Sequence, residues 1–476
     1  MPFYLSSADS GFSSLTHLDV DKKFGTWEDI KHISVKYDIV VDLVVDHISD
    51  ELFEFKDFLK NGDKSFFSNF FITTEKFSSR FELLKIDKRV RKFFVVLKKT
   101  LNLLRRVDFV FHEQGVNKFV LEKIYRPRLG SPFEKFIFAD GKKRSVWCTF
   151  SKKQIDLDIK NRRVRKMIQK WIENLGSQGV KLLRLDVTGY CSKKRGTTSF
   201  MIPEIYKFIR WLAKVAHDNN MLVLPEIHDH YSMQVKLAKT NGINYVYDFC
   251  LPALVLYSIY SKNTRSLERW IKIRPENQIT TLDTHDGIGL IDVEGLVDTN
   301  ELEDLFQSIF QNGGNVTMRA SGTSSENVDI YQINTTYYSA LGEDDKKHLI
   351  ARAIKCFVPG IPQVYYVGLL AGVNDEGLLE KTGNGRDVNR YYYSMSEIEK
   401  EIKRDVVRKL GELMIFRNEY PAFNGCFEAK KCEDYELLLV WKKGRSWCKL
   451  FVDFEEKEGS IEYFNLKKHK SNLIRL

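Results

Sequence analysis

Three acidic residues stand at the ends of short apolar runs, where a buried strand would stop and expose a carboxylate. Asp186 closes Val180-Lys181-Leu182-Leu183-Arg184-Leu185, Glu226 follows Met221-Leu222-Val223-Leu224-Pro225, and Asp286 ends the polar cluster Asp283-Thr284-His285-Asp286 that follows Gln278-Ile279-Thr280-Thr281-Leu282. Two carboxyl groups flanking one bond can carry out retaining glycosyl transfer. One attacks the anomeric carbon, and the other, about 5–5.5 Å away, protonates the leaving oxygen and later acts as base. Arg184 lies two residues before Asp186, so in a strand both point the same way. A guanidinium there would hold Asp186 ionised and oriented, as a nucleophile requires. The apolar approach to Glu226, Leu222 to Pro225, would desolvate that carboxyl and keep it protonated for acid duty. Singly, an Arg-x-Asp is often a salt bridge, and a Glu after a strand is often a surface residue. The reading rests on all the strand-end clusters together. His228-Asp229-His230 reads as a solvated loop rather than a metal site.

The elements needed to position these groups are visible. Ile39–Val45, Val180–Leu185, Met221–Leu224, Tyr245–Phe249, Gln278–Leu282 and Ile361–Tyr366 are short, largely apolar, β-branched runs. Helical patterns such as Val164–Glu173 and Ile202–His217 lie between them. Strands alternating with helices, apolar on both faces, predict a parallel α/β sheet. Polar clusters at the strand ends (Asp46-His47 is another) favour a (β/α)8 TIM barrel, whose strand C-termini open onto one face. An open doubly wound sheet is the rival, but its Gly-rich phosphate turn is missing. Residues 1–49, 147–287 and 346–420 are assigned to the barrel. Residues 50–146 form an inserted subdomain, 288–345 a second one, and 421–476 a small C-terminal β domain.

With 476 residues, 43% hydrophobic and 29% charged, the chain is long enough for a large core and reads as globular. No apolar run reaches the roughly 18 residues of a membrane span, and no secretory leader pattern opens the chain. The seven scattered cysteines make no Cys-x-x-Cys pair and fit a reducing cytoplasm. The net charge of +10 is local: residues 78–120 hold eleven Lys/Arg against four Asp/Glu, a surplus of +7. A nucleic-acid-binding role for the whole protein is therefore not expected.

Asp42-Leu-Val-Val-Asp-His47, Leu183-Arg-Leu-Asp-Val-Thr188, Leu224-Pro-Glu-Ile-His228 and Leu282-Asp-Thr-His-Asp286 occur in this order, with Gln154-Ile-Asp-Leu-Asp158 before the second. Together they resemble the motifs of the α-amylase superfamily, glycoside hydrolase family 13. Thr281–Gly289, Asp329–Asn334 with Thr336–Leu341, Pro359–Gly368 and Asn384-Gly-Arg-Asp387 extend the resemblance to its sucrose phosphorylase branch. The resemblance implies phosphorolysis of sucrose to α-glucose 1-phosphate and fructose. Asp186 would be nucleophile, Glu226 acid/base and Asp286 the third carboxylate. It further implies that Asp9, Phe12, His47, Arg184, His285 and Arg386 hold the glucosyl unit, with Phe150 lining the same pocket. Arg128, Tyr331 and Gln332 would belong to mobile loops shaping the acceptor side, where an Arg suits phosphate. Tyr331 matches the free-sucrose type, whereas the sucrose-phosphate pattern carries His. No cofactor and no metal are implied. The partners are sucrose or a related α-glucoside and inorganic phosphate, with no nucleic acid and no membrane; a homodimer follows by analogy with relatives. The alternatives are phosphorolysis of sucrose 6'-phosphate or glucosylglycerate, or a truncated non-catalytic relative.

Three departures from the pattern stand out. The first strand–helix unit of the barrel, roughly 40 residues on the scale of one such unit, is expected to be missing. Residues 78–120 replace a much shorter stretch, and Val90, Phe93, Phe94, Leu97, Leu101 and Leu104 recur there at helical spacing among cations. Asp46 stands where the family normally has Asn, an added carboxylate that would raise pKa values nearby.

Overall fold

The structure is a computed structural model describing residues 2–78, 121, 123–126, 130–321, 328–465 and 469–476. Residues 79–120, with their expected helix, and Arg128 lie outside these, and Tyr331 is described by its backbone alone. Two compact units emerge: Met1–Glu226 with Arg319–Asp329, and Ile227–Met318 with Ile330–Leu476.

In the first unit, β1 (Ile39–Val44), β2 (Val180–Asp186) and β3 (Leu222–Pro225) form a parallel sheet in that order. Parallel neighbours need a long crossover, and between β2 and β3 this includes a helix, Pro203–Asp218. Pro203 opens that helix, where a missing N–H costs nothing. Before β2 runs α1 (Arg162–Ser177), capped by the Asn161 side chain accepting from the Arg163 N–H at 2.8 Å. Its Val164, Ile168, Trp171, Ile172 and Leu175 recur at helical spacing and are buried. Each such side chain contributes roughly 1.5–3 kcal/mol of burial. A short antiparallel ladder sets His47 opposite Asp156 and Ser49 opposite Gln154.

In the second unit, β4 (Val246–Asp248), β5 (Gln278–Thr280) and β6 (Ile361–Pro362) are parallel, with β5 central. The strand expected over Ile361–Tyr366 stops at Pro362, and Tyr366–Leu369 is helical instead. Proline has no N–H for the ladder, which limits how far that edge can pair. The helix Cys250–Ser261 is buried nearly all round, as an interior helix should be. Five antiparallel strands from Cys426 to Arg475 follow in sequential order. Leu437, Leu439 and Trp441 alternate inward opposite Val452, Leu450 and Cys448, and the Trp441 indole donates to the Phe357 carbonyl at 2.6 Å.

Lys355, on the helix Asp345–Phe357, is fully buried and donates to the Gln363 carbonyl at 3.0 Å. Burial, helped by the Arg352 cation, pushes its pKa down to about 8. Between pH 8 and about 10.4, the ordinary value, the folded chain therefore holds fewer protons than the unfolded one. Stability rises with pH across that window, and below pH 8 the full cost of the buried charge is present. Lys355→Met is expected to stabilise the protein by about 2–3 kcal/mol at pH 7, net of one lost hydrogen bond. Denaturant melts at pH 7 and pH 10 check this, because the advantage should shrink at the higher pH.

Candidate active site

In the first unit the strand register brings the chemistry together. Asp42 pairs with Arg184 and Val44 with Asp186 across β1 and β2; Arg184 pairs with Leu224 and Leu185 with Pro225 across β2 and β3. Glu226 thus leaves β3 beside the end of β2, and its N–H donates to the Leu185 carbonyl at 3.0 Å. Arg184 is buried and serves three carboxylates. Its Nη1 bonds Asp42 and lies 3.0 Å from Asp186 Oδ1, and its Nη2 lies 3.0 Å from Glu226 Oε1. Glu226 therefore shares a guanidinium with Asp186, a more polar setting than its apolar approach suggested. The second Glu226 oxygen, Oε2, accepts from the Val187 N–H at 3.2 Å. Val187 holds a left-handed φ of 41°. That is an uncommon backbone for a β-branched residue, costing about 1–3 kcal/mol, and it aims this N–H at Glu226.

The other expected sugar contacts of this unit gather around His47. Its Nε2 lies 3.0 Å from the Phe12 carbonyl oxygen and 3.1 Å from Gln154 Nε2. Gln154 also donates to Asp9 Oδ2 at 3.1 Å. The Phe150 ring stands 5.5 Å from the His47 ring and 5.5 Å from the Tyr190 ring, centroid to centroid. The Arg184 guanidinium lies 5.7 Å from the centre of the Phe12 ring. Behind His47, the buried Lys193 ammonium bonds Asp46 Oδ1 at 2.6 Å and also Asp156 and the Tyr190 carbonyl. Burial works against the charge on Asp46, yet the Lys193 ammonium and the contact with His47 hold its carboxyl below the usual range. Burial and then the Asp46 carboxylate push Asp156 up to about 6.

The second unit builds a cluster around Asp286. Asp283, at the start of its motif, is clamped by Arg352 through bonds of 2.9 and 2.6 Å. The Asp286 N–H donates to Thr284 Oγ1 at 3.1 Å, and Asn389 Nδ2 donates to the Asp286 carbonyl at 2.9 Å. The carboxylate receives Arg386 Nη1 at 2.8 Å, with His285 Nε2 at 3.4 Å and Arg390 Nη2 at 3.8 Å. Gln332 is buried on a strand paired with Gly289. A side chain could not replace Gly289, since its Cβ would fall 2.0 Å from Asp292 Oδ2. That carboxylate receives Gln234 at 3.0 Å and lies 3.0 Å from His228 Nδ1, so His228 belongs to a buried network rather than a solvated loop. Arg386→Lys should lower kcat/KM about 10- to 100-fold with a small change in melting temperature, because a compact ammonium does not reproduce the planar guanidinium that meets Asp286 through Nη1.

The expected residues thus fall into two groups: Asp9, Phe12, His47, Phe150, Arg184, Asp186 and Glu226 in the first unit, and His285, Asp286, Gln332 and Arg386 in the second. Asp42, Gln154 and Lys193, and likewise Asn389 and Arg390, were not expected as site residues. Asp42 and Gln154 head motifs and were open to notice. Lys193 was not, because a loop lysine ordinarily reads as solvated.

Residues 1–410 match the α-amylase catalytic-domain family. The chain is 39% identical over 469 residues to a glucosylglycerol phosphorylase of Marinobacter adhaerens, covering 98% of this chain and 90% of that one. It is 38% identical over 470 residues to a sucrose phosphorylase of Agrobacterium vitis, covering 97% and 89%. The crystal structure of sucrose 6F-phosphate phosphorylase from Thermoanaerobacter thermosaccharolyticum superposes with a TM-score of 0.88 at 38% identity, covering 100% of this chain and 90% of that one. The chain belongs to the α-amylase family, with that family's TIM-barrel catalytic fold and an antiparallel C-terminal sheet. Within it, the protein is a glycosyltransferase of the sucrose phosphorylase branch, an enzyme of the phosphorylase type.

Proposed function

We propose that the enzyme carries out retaining phosphorolysis of sucrose through a covalent glucosyl–Asp186 intermediate. The observation that carries this is Arg184 holding Asp186 and Glu226 at the ends of neighbouring strands. In the first step an Asp186 oxygen bonds to the anomeric carbon as the bond to the fructosyl oxygen breaks, and Glu226 gives that oxygen its proton. In the second, a phosphate oxygen attacks the same carbon, Glu226 takes the phosphate proton, and Asp186 leaves as carboxylate. Two inversions give α-glucose 1-phosphate. Asp286 grips ring hydroxyls more tightly as the ring flattens towards the transition state. Asp9, Phe12, His47, Phe150, His285 and Arg386 hold the glucosyl unit, and Arg128, Tyr331 and Gln332 shape the acceptor side. A cytoplasmic location accords with seven free cysteines.

A second reading changes only the donor, to sucrose 6'-phosphate, glucosylglycerol or glucosylglycerate. It draws on similarity at 38–39% identity to phosphorylases of two of these compounds. The test is phosphate-dependent release of glucose 1-phosphate from each donor in parallel. Highest kcat/KM with sucrose supports the first reading, and highest with another donor replaces it. No product from any donor by a folded chain removes both.

A further inference from the structure

Asn389 and Arg390 take up three consecutive carbonyls of the Asp286 turn. Asn389 Nδ2 donates to the Thr284 carbonyl at 3.3 Å and to the Asp286 carbonyl at 2.9 Å, and Arg390 Nε donates to the His285 carbonyl between them at 2.9 Å. Carbonyl oxygens only accept, so the Asn389 amide faces them in one orientation. Both residues are buried. Asn389 closes the short turn Gly385–Asn389 that carries Arg386, and Arg390 follows it.

The same turn supplies charge. Asp286 Oδ1 meets two guanidinium groups, Arg386 Nη1 at 2.8 Å and Arg390 Nη2 at 3.8 Å, while His285 Nε2 lies 3.4 Å from Oδ2. A cation this close favours the ionised carboxylate. The two arginines differ in freedom. The Arg386 side chain is 33% exposed and the Arg390 side chain 2%. An exposed guanidinium can turn to a ligand and share its hydrogen bonds with it. Arg390 is tied through Nε to the His285 carbonyl, and a buried guanidinium is costly to separate from its partners. Its Nη1 lies 3.7 Å from Asp387, and Tyr365 and Tyr366 are within reach of its charge.

We propose that Arg390 is a positioning residue for the third carboxylate: with Asn389 it fixes the Thr284–Asp286 backbone, and it keeps a permanent cation beside Asp286 while Arg386 engages the glucosyl unit. This rests on the reading that Asp286 and Arg386 contact that unit. Arg390 acts through Asp286 rather than on the donor.

The test is Arg390→Gln and Arg390→Lys in the full chain. Glutamine removes the cation, whereas lysine keeps it without the planar Nε–H that meets the His285 carbonyl. Asp286 grips the ring most tightly in the transition state, so Arg390→Gln should lower kcat about 30-fold with donor KM changed less than about threefold. Arg390→Lys should recover about tenfold of that loss. Carbon-13 spectra of the aspartate carboxyls, with the Asp286 signal assigned by its loss in Asp286→Asn, give a second readout. Asp286 should protonate at a higher pH in Arg390→Gln than in the parent, and at the parental pH in Arg390→Lys. A parental kcat in Arg390→Gln, a loss carried by KM alone, or an unmoved Asp286 titration there would each overturn the proposal. If Arg390→Gln does not fold, Arg390→Lys decides: kcat about threefold below the parent with an unmoved titration supports the proposal, and a parental kcat or a titration moved upward overturns it. The spectra require no turnover. A parent inactive on every donor would therefore refute the functional reading, while the Asp286 titration would still decide the role of Arg390.

Discussion

Asp186→Asn removes phosphate-dependent glucose 1-phosphate formation, with kcat falling by about 10^4-fold or more. An amide oxygen cannot form the glucosyl ester, so neither half of the double displacement proceeds. The fold should survive, because Arg184 keeps Asp42 and Glu226 as partners when the charge on Asp186 is lost. Both statements are checked on one preparation, by a coupled assay for glucose 1-phosphate and by a thermal melt. Residual turnover above about one part in 10^3, with contamination excluded, would move the nucleophile elsewhere.

Glu226→Gln should lower kcat on sucrose by about 10^2–10^4-fold, since the fructosyl oxygen must then leave without a proton. The loss depends on the leaving group. With α-glucosyl fluoride, whose leaving group needs no protonation, the first step recovers most of its rate. Intact-protein mass spectrometry should then find one anhydroglucosyl unit on the chain, and peptide mapping should place it on Asp186. An equal loss with both donors would show that Glu226 is not the acid. The Val187 N–H and the Arg184 guanidinium hold the carboxyl in place, and a glutamine keeps its shape. A change in reactivity without a change in fold is therefore the expected signature.

The charges at strand ends were legible because each follows an apolar run, and a carboxylate is most easily accommodated where a buried strand stops. Asp186 and Glu226 stood out this way, Asp286 closes the polar cluster that follows the strand Gln278–Thr280, and the order of their motifs pointed to the family. Helix positions were legible for the same reason: the apolar spacing of Val164, Ile168, Trp171, Ile172 and Leu175 requires one covered face. What each charge touches was not legible, because partners distant in sequence are set by strand register and loop return. Arg184 next to Asp186 in sequence suggested one salt bridge. The parallel register adds Asp42 from a strand about 140 residues earlier, and the neighbouring strand adds Glu226. Lys193 could be assigned to a buried ion cluster only once the loop after Asp186 was seen to bring its ammonium to Asp46 and Asp156. Its long aliphatic stem reads in sequence as solvated surface, and burial depends on what surrounds it. The carboxylates and their order belong to the sequence; which cation holds each of them was decided by the tertiary structure.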